Sequence, residues 1–188
     1  MRDITALYPD LGRLAFSEEE IDGRVEELAR EIETFYPEDE EILVIGLLKG
    51  AFVFTADLVR ALRRPRLRVD FVVAALYGEG TDSSREVRLL YDADAPIDDS
   101  HVLLVEDVVD SGKTLNRICD SLSDKRPRSL EVCALLHKHV TTVLRHEPRW
   151  VGFDAPSDWL VGYGLDLGER YRHLPFIATV ATGGKKGI

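Results

Sequence analysis

The sequence predicts an α/β fold with a central, mostly parallel β-sheet flanked by helices. Mainly apolar runs of strand length recur along the chain, at 42–48, 69–76, 102–105 and 129–136. Runs without strict polar alternation are typical of strands buried on both faces of a parallel sheet. Helical patterns stand between several of these runs, which is what parallel strands need for their crossover connections.

The local signals along the chain place each element. Ser17 followed by Glu20 is a capping-box signature, and apolar residues at helical spacing then predict a helix to about Phe35. The remaining predicted elements are a helix over 51–63, a return strand over 87–91, a helix from 113 to about 124, and strands over 150–153 and 176–180.

Composition limits the classes of protein that fit. A chain of 188 residues is expected to form one domain, over residues 1–188, with a sizeable core. A net charge of −10 argues against a nucleic-acid or anionic-membrane surface. The first residues lack a signal-like pattern and no apolar run reaches membrane-spanning length, so we expect a cytoplasmic protein. Cys119 and Cys133 fit neither zinc nor redox spacing, and buried reduced thiols are expected.

The stretch 102–115 carries the strongest chemical signal. An apolar run leads into Glu106 and Asp107, then into a turn of small and hydroxyl residues, and a helical pattern follows from Lys113. In an open α/β sheet, ligands bind at the carboxyl ends of the strands. The N–H groups of such a turn and of the first helical turn bind anions. We interpret 110–114 as a cradle for one phosphate, and the two carboxylates as partners for sugar hydroxyls or Mg²⁺.

Two other interpretations of this stretch fit less well. Gly112-Lys113-Thr114 resembles the end of a Walker A loop, but that motif requires a glycine five positions before Gly112, where the chain has Asp107. The other interpretation is an ordinary turn between strand and helix with a capping serine. Two carboxylates directly after a buried strand are costly without ligands, which argues against it.

The stretch from Val102 to Leu115 resembles the ribose-phosphate signature of the type I phosphoribosyltransferases, in particular their hypoxanthine-guanine branch. Leu48-Lys49-Gly50 resembles the family's pyrophosphate loop, where one peptide is often cis, and 158–166 resembles its base-binding segment. The resemblance covers about residues 40–180. It implies the type I fold, in which terminal segments form a small hood, here with a base-binding segment at about 150–180.

The resemblance also implies an activity and its site. The reaction is transfer of a phosphoribosyl group from 5-phospho-α-D-ribosyl 1-pyrophosphate (PRPP) to N9 of hypoxanthine or guanine, with Mg²⁺. The implied general base is Asp110, which with Ser111, Gly112, Lys113 and Thr114 binds the 5′-phosphate. The implied ribose ligands are Glu106 and Asp107, and the implied pyrophosphate ligands are Lys49, Gly50 and Arg172.

The purine and metal sites follow from the same resemblance. The purine would contact Lys138, Trp159 and Leu160, with Trp159 stacking on the ring, a position where the family more often has Phe or Tyr. An ammonium group only donates hydrogen bonds, so Lys138 would favour a 6-oxo over a 6-amino purine. The implied Mg²⁺ ligands are Asp166, Glu106 and Asp107. The alternatives are a buried core position for Trp159 and a helix-capping role for Asp166.

A mobile loop at about 77–86 is expected to act as a lid, because its glycine and small polar residues are typical of such loops. Arg85 stands where the family has a glycine, and a plain hairpin tip is the alternative.

The expected partners are PRPP and a 6-oxopurine base, with no nucleic acid and no membrane, in a homodimer or homotetramer. Two further functions on the same fold stay open. One is a phosphoribosyltransferase that prefers xanthine. The other is an RNA-binding regulator of pyrimidine genes, which would need a basic face. The basic cluster that the chain offers lacks interleaved aromatics, and we interpret it as a helix end in solvent: Arg60, Arg63, Arg64, Arg66 and Arg68.

Overall fold

The computed structural model describes residues 7–77, 86–138 and 143–181. In chain order, its elements are β1 (Leu11–Phe16), α1 (Glu18–Phe35), β2 (Ile42–Leu48), α2 (Phe52–Ala61), β3 (Leu67–Tyr77), β4 (Glu86–Tyr91), β5 (His101–Val109), α3 (Lys113–Ser123), β6 (Ser129–His137), β7 (Trp150–Asp154), β8 (Leu160–Val161) and β9 (Ile177–Val180). None of the helices in these ranges combines the length and the hydropathy needed to cross a bilayer.

The main sheet has six strands in the order β4-β3-β2-β5-β6-β7. Every neighbouring pair is parallel except β3 with β4, which is antiparallel. Residues 102–105 of β5 are fully buried in the middle of this sheet. Their side chains alternate between a core shared with α1 and α2 and a core shared with α3. The predicted mostly parallel sheet with helices on both faces is therefore confirmed.

Helix α1 begins as its sequence predicts. The Ser17 hydroxyl accepts a hydrogen bond from the Glu20 N–H at 3.3 Å, and the Ser17 N–H donates to the Glu20 carboxylate at 2.8 Å. This reciprocal pair satisfies two N–H groups that would otherwise lack partners at the helix start. The apolar stripe of the helix is buried against the sheet, so the predicted helix from Ser17 to Phe35 is confirmed.

A second, small sheet is formed by the two ends of the chain. It has the order β1-β9-β8 and is antiparallel throughout. Strand β8 and strand β9 come from the C-terminal segment, and β1 comes from the N-terminal segment. This sheet, which we call the hood sheet, confirms the hood of terminal segments that the resemblance implies.

Strand β5 and helix α2 end at residues other than the predicted ones. Strand β5 continues to Val109, so Glu106 and Asp107 lie within the strand and not after it. The reason is that β6 pairs with β5 as far as Val109, and this pairing holds the polar end of β5 extended. Helix α2 ends at Ala61, two residues before the predicted end, where Leu62 turns to an extended conformation ahead of Pro65.

The predicted basic helix end is engaged in contacts with the chain itself. Arg64 donates to the carbonyls of Tyr36, Pro37 and Glu40, and Arg66 donates to that of Asp39. These arginines hold the connection between α1 and β2. Of the predicted lid, residues 78–85 lie outside the described residues, whereas the return strand is confirmed as β4.

Candidate active site

The register between β5 and β6 brings two predicted site residues together. Val109 pairs with His137 at the ends of the two strands, so the residues that follow them, Asp110 and Lys138, are neighbours at the carboxyl end of the sheet. The Lys138 N–H donates to the Val109 carbonyl at 2.9 Å. The Lys138 ammonium lies 2.9 Å from the Asp110 carboxylate. The residue predicted as general base therefore forms an ion pair with the residue predicted to read the purine.

The predicted phosphate loop lies between this pair and α3. Gly112 caps the helix with φ +71°, a conformation that favours glycine, and a Cβ there would lie 2.3 Å from the Leu144 side chain and would displace it. Asn116 holds the covering loop, donating to the Val143 carbonyl at 3.1 Å and accepting from the Arg145 N–H at 2.8 Å. The result is a cleft of about 410 Å³ at the N-terminus of α3, where the helix dipole favours an anion.

The residues lining this cleft include most of the predicted phosphate and ribose ligands. They are Glu106, Val108, Val109, Asp110, Ser111, Gly112, Thr114 and Leu115. Asn116 and Leu144 were missed by the sequence analysis. Their contacts join α3 to the 143–145 loop, and no sequence motif links these two segments.

Glu106 and Asp107 are carboxylates in an environment that disfavours their charged form. Glu106 is 6% exposed, and its Oε2 is buried without a hydrogen-bond partner among the described residues. Burial raises the pKa of Glu106 well above its ordinary value, and the charge of Asp107 adds to this shift. Burial likewise raises the pKa of Asp107 to about 6, against the opposing hydrogen bond from the Val108 N–H at 2.9 Å. Both groups favour a proton, a hydroxyl donor or a cation.

The predicted pyrophosphate loop meets these carboxylates directly. The Leu48–Lys49 peptide is cis, as the resemblance implied. A Cβ on Gly50 would lie 1.6 Å from the Asp107 Oδ2, and a Cβ on Gly164 would lie 2.1 Å from the Gly50 carbonyl oxygen. Gly50 therefore lies between the Asp107 carboxylate and the predicted base-binding segment. Gly164 was not predicted as a site residue, since its importance arises only from this approach.

A network of ion pairs joins the remaining predicted ligands. Arg172 lies 2.8 Å from Asp166 and also donates to the Gly164 carbonyl at 2.8 Å. Glu169 lies 3.1 Å from the Lys49 ammonium and 3.2 Å from the Arg172 guanidinium. Arg172 and Asp166 also act on Asp107, the first lowering and the second raising its pKa. The structure thus brings Lys49, Asp166 and Arg172 together, with Glu169 as a member that sequence reasoning missed.

The predicted purine contacts Trp159 and Leu160 differ in the exposure of their side chains. The Trp159 residue is 61% exposed, and its indole N–H donates to the Asp166 carbonyl at 3.4 Å, so the alternative of a core tryptophan is wrong. The side chain of Leu160 is buried in β8, so a ligand would contact only the backbone of this residue. Residues 167–172 form turns, so the alternative of Asp166 as a helix cap is also wrong; its carboxylate accepts from the Glu169 N–H at 2.8 Å.

The fit of a metal ion can be judged from the same groups. Within 7–77, 86–138 and 143–181, no three acidic, histidine or cysteine side chains converge to form a metal site by themselves. The unpaired Glu106 oxygen and the neighbouring Asp107 nonetheless fit Mg²⁺, which is commonly held by one or two carboxylates together with waters and substrate phosphates.

We predict that Asp107→Asn stabilises the ligand-free protein at neutral pH. Since the pKa of Asp107 rises from 3.8 to about 6 on folding, its contribution to stability is complete below about pH 4 and is lost as pH rises through about 6. An amide cannot ionise, so the free energy of unfolding of the variant should exceed that of the wild type by about 3 kcal/mol at pH 7.5 and by little at pH 4. Urea unfolding at the two pH values measures this.

Asp99→Asn is the matched control, because Arg128 lowers the pKa of this exposed carboxyl through a hydrogen bond. Its removal should not stabilise the protein at pH 7.5. An Asp107→Asn variant that is less stable than the wild type at pH 7.5 would contradict the burial argument.

Comparison with known proteins agrees with this geometry. The family described as "Phosphoribosyl transferase domain" matches residues 17–166. The hypoxanthine-guanine phosphoribosyltransferase of Aquifex aeolicus is 45% identical over 168 residues, covering 89% of this chain and 94% of that protein. The protein of the same name from Mycobacterium avium is 44% identical over 180 residues, covering 93% of this chain and 88% of that one.

A solved structure gives the same result for the fold. The crystal structure of a hypoxanthine-guanine phosphoribosyltransferase from Bacillus anthracis is 42% identical and superposes with a TM-score of 0.85, covering 91% of this chain and 99% of that one. Both the family and the fold that the motifs predicted are thereby confirmed. With a family match over most of its length and the carboxylates and phosphate loop at the end of β5, the chain belongs to the phosphoribosyltransferase family.

Proposed function

We propose that the protein is a purine salvage enzyme that transfers the phosphoribosyl group of PRPP to N9 of hypoxanthine or guanine. The products are IMP or GMP and pyrophosphate. The observation that carries this proposal is the Asp110–Lys138 ion pair at the mouth of the phosphate cleft. It sets a potential proton acceptor beside a donor suited to a 6-oxo group, next to a site for a 5′-phosphate.

The leaving group needs positive partners. As the bond from C1′ to the pyrophosphate oxygen breaks, positive charge develops on the ribose and the leaving oxygen takes the electron pair. Lys49 and Arg172 are the cations near Gly50, and they would neutralise the departing pyrophosphate. Glu106 and Asp107 would accept hydrogen bonds from the ribose hydroxyls, which gives the unpaired Glu106 oxygen a partner.

The nucleophile needs to lose a proton. As N9 of the base forms its bond to C1′, Asp110 would accept the proton from the N7 side of the purine. Lys138 would exchange its contact with Asp110 for one with the 6-oxo group, so that base recognition frees the carboxylate. The exposed ring of Trp159 would stack on the purine, and the backbone of Leu160 would contact the edge of the base.

Mg²⁺ is the cofactor that we propose, with Asp166, Glu106 and Asp107 as its protein ligands. When bound, it would supply positive charge to the pyrophosphate oxygens. We further propose PRPP and the base as the partners, a cytoplasmic location, and a homodimer or homotetramer. The single domain over 1–188, the lid at 77–86 and the base-binding hood segment at 150–180 stay predictions.

The direct test is an assay of pyrophosphate release from PRPP with hypoxanthine, guanine, xanthine, adenine and uracil, each with and without Mg²⁺. We expect hypoxanthine or guanine to react fastest and only in the presence of Mg²⁺. Fastest reaction with xanthine would favour the alternative specificity, and no reaction with any purine would overturn the proposal.

We predict that Asp110→Asn lowers kcat by about 10²–10⁴-fold, because the amide cannot accept the proton from the purine. Binding of the nucleotide product should be largely retained, since the N–H groups of the phosphate loop are unchanged. Steady-state kinetics and a nucleotide titration measure the two quantities. Near-normal turnover would rule out Asp110 as the general base.

We predict that Lys138→Ala relaxes the preference for 6-oxopurines. Loss of a charged donor should reduce the ratio of kcat/KM for hypoxanthine over adenine by about 10-fold or more. Lys125→Ala is the control, because Lys125 pairs with Asp92 away from the cleft. An unchanged ratio in Lys138→Ala, or equal use of adenine by the wild type, would refute the role of Lys138.

A further inference from the structure

Glu169 occupies a backbone position that does not suit it. Leu167 and Arg170 exchange hydrogen bonds of 3.2 and 3.3 Å around a two-residue turn, in which Gly168 has φ +59° and Glu169 has φ +64°. Positive φ at both central residues defines a type I′ turn, for which asparagine and glycine are the favoured residues. A glutamate there is held against its backbone preference, which points to a role for its side chain.

That side chain joins two cations. One carboxylate oxygen of Glu169 accepts from the Lys49 ammonium at 3.1 Å, and the other accepts from the Arg172 guanidinium at 3.2 Å. These contacts, first that with Lys49, lower the pKa of Glu169 and keep it ionised. The side chains of Lys49 and Glu169 are each 64% exposed, so the contact can be exchanged without rearranging the core.

Glu169 is not needed to position Arg172. Asp166 lies 2.8 Å from the same guanidinium, and the Gly164 carbonyl accepts from its other terminal nitrogen at 2.8 Å. The turn itself is fixed by the backbone N–H of Glu169, which donates to Asp166. The carboxylate of Glu169 therefore adds negative charge beside Arg172, whose placement other groups already determine, and beside the exposed ammonium of Lys49.

We propose that Glu169 is an internal counter-anion, which occupies Lys49 and Arg172 in the ligand-free protein and yields them to pyrophosphate. The inference rests on the proposed function, which assigns these two cations to the pyrophosphate group. Pyrophosphate then replaces the Glu169 carboxylate at the two cations. The free energy of the two ion pairs that Glu169 loses reduces the free energy of pyrophosphate binding. The same exchange favours release of the pyrophosphate product, because the carboxylate returns to the cations.

The test is calorimetric titration of inorganic pyrophosphate, in the presence of Mg²⁺, into the wild type and Glu169→Gln. One exposed and one partly buried ion pair correspond to an affinity gain of about 3- to 10-fold in the variant. The KM for PRPP should fall by a similar factor while kcat stays equal or falls. A group that merely held the cations in place would, on removal, weaken pyrophosphate binding instead.

Two further variants complete the test. Glu27→Gln is the matched control, because Glu27 is an exposed glutamate on α1 paired with Arg24 at 2.9 Å, and its affinity for pyrophosphate should equal that of the wild type. Glu169→Asn suits the turn better and also removes the charge, so it should reproduce the gain with undiminished thermal stability, even where Glu169→Gln folds poorly.

The outcomes separate this inference from the function on which it rests. Unchanged or weaker pyrophosphate binding in folded Glu169→Gln or Glu169→Asn, beside a wild type that binds pyrophosphate, overturns the counter-anion role alone. A wild type that neither binds pyrophosphate nor forms nucleotide overturns the proposed function together with this inference.

Discussion

The layering of Gly50 between Asp107 and Gly164 is the constraint on which the site depends. The parallel register of β2 with β5 pairs Gly46 with Val105, so the chain leaving β2 must run past the Asp107 carboxylate. The base-binding segment then lies against the Gly50 carbonyl from the other side. A Cβ on Gly50 would overlap the Asp107 carboxylate, and a Cβ on Gly164 would overlap the Gly50 carbonyl, so a larger residue at either position would displace its neighbour. The proposed sugar, pyrophosphate and base regions are therefore in van der Waals contact with each other.

Most of the charged groups at the site form ion pairs with other side chains of the protein, and these side chains occupy the positions that a ligand would take. Asp110 is paired with Lys138, Asp166 with Arg172, and Glu169 with both cations of the pyrophosphate region. The Lys49–Glu169 pair is well exposed and of low net energy, so a ligand can replace it at small cost, whereas the Asp166–Arg172 pair is largely buried. Glu106 differs, because it is buried and its Oε2 has no hydrogen-bond partner in the described part of the chain. The stability lost there is recovered when a ligand binds, as is typical of groups retained for function.

How much could be predicted from the sequence depended on the range of the interactions involved. The capping box of α1, the strand-loop-helix unit around 102–115 and the alternation of strands with helices are encoded locally, and all three are confirmed. The end of β5 was placed too early, because its polar residues are kept extended by β6. Glu169, Gly164 and Asn116 were missed because their partners are distant in sequence. A second reason applies to Glu169: the pair Gly168-Glu169 lacks the asparagine-glycine signal of a type I′ turn, so the turn was not predicted.

An acidic protein that binds a polyphosphate must solve an electrostatic problem at short range. Its net charge of −10 acts weakly beyond a Debye length of about 8 Å, so the groups at the site decide the outcome. Those groups are themselves acidic: Glu106, Asp107, Asp110, Asp166 and Glu169 stand against Lys49, Lys113, Lys138 and Arg172. The N-terminus of α3 adds about half a positive charge for the proposed 5′-phosphate site. Helix α2, which begins at Phe52 just after Lys49 and Gly50, adds a similar charge beside the proposed pyrophosphate site. With the local charge no better than balanced, a diphosphate needs cations that enter with it, and this supports Mg²⁺ as the partner of pyrophosphate.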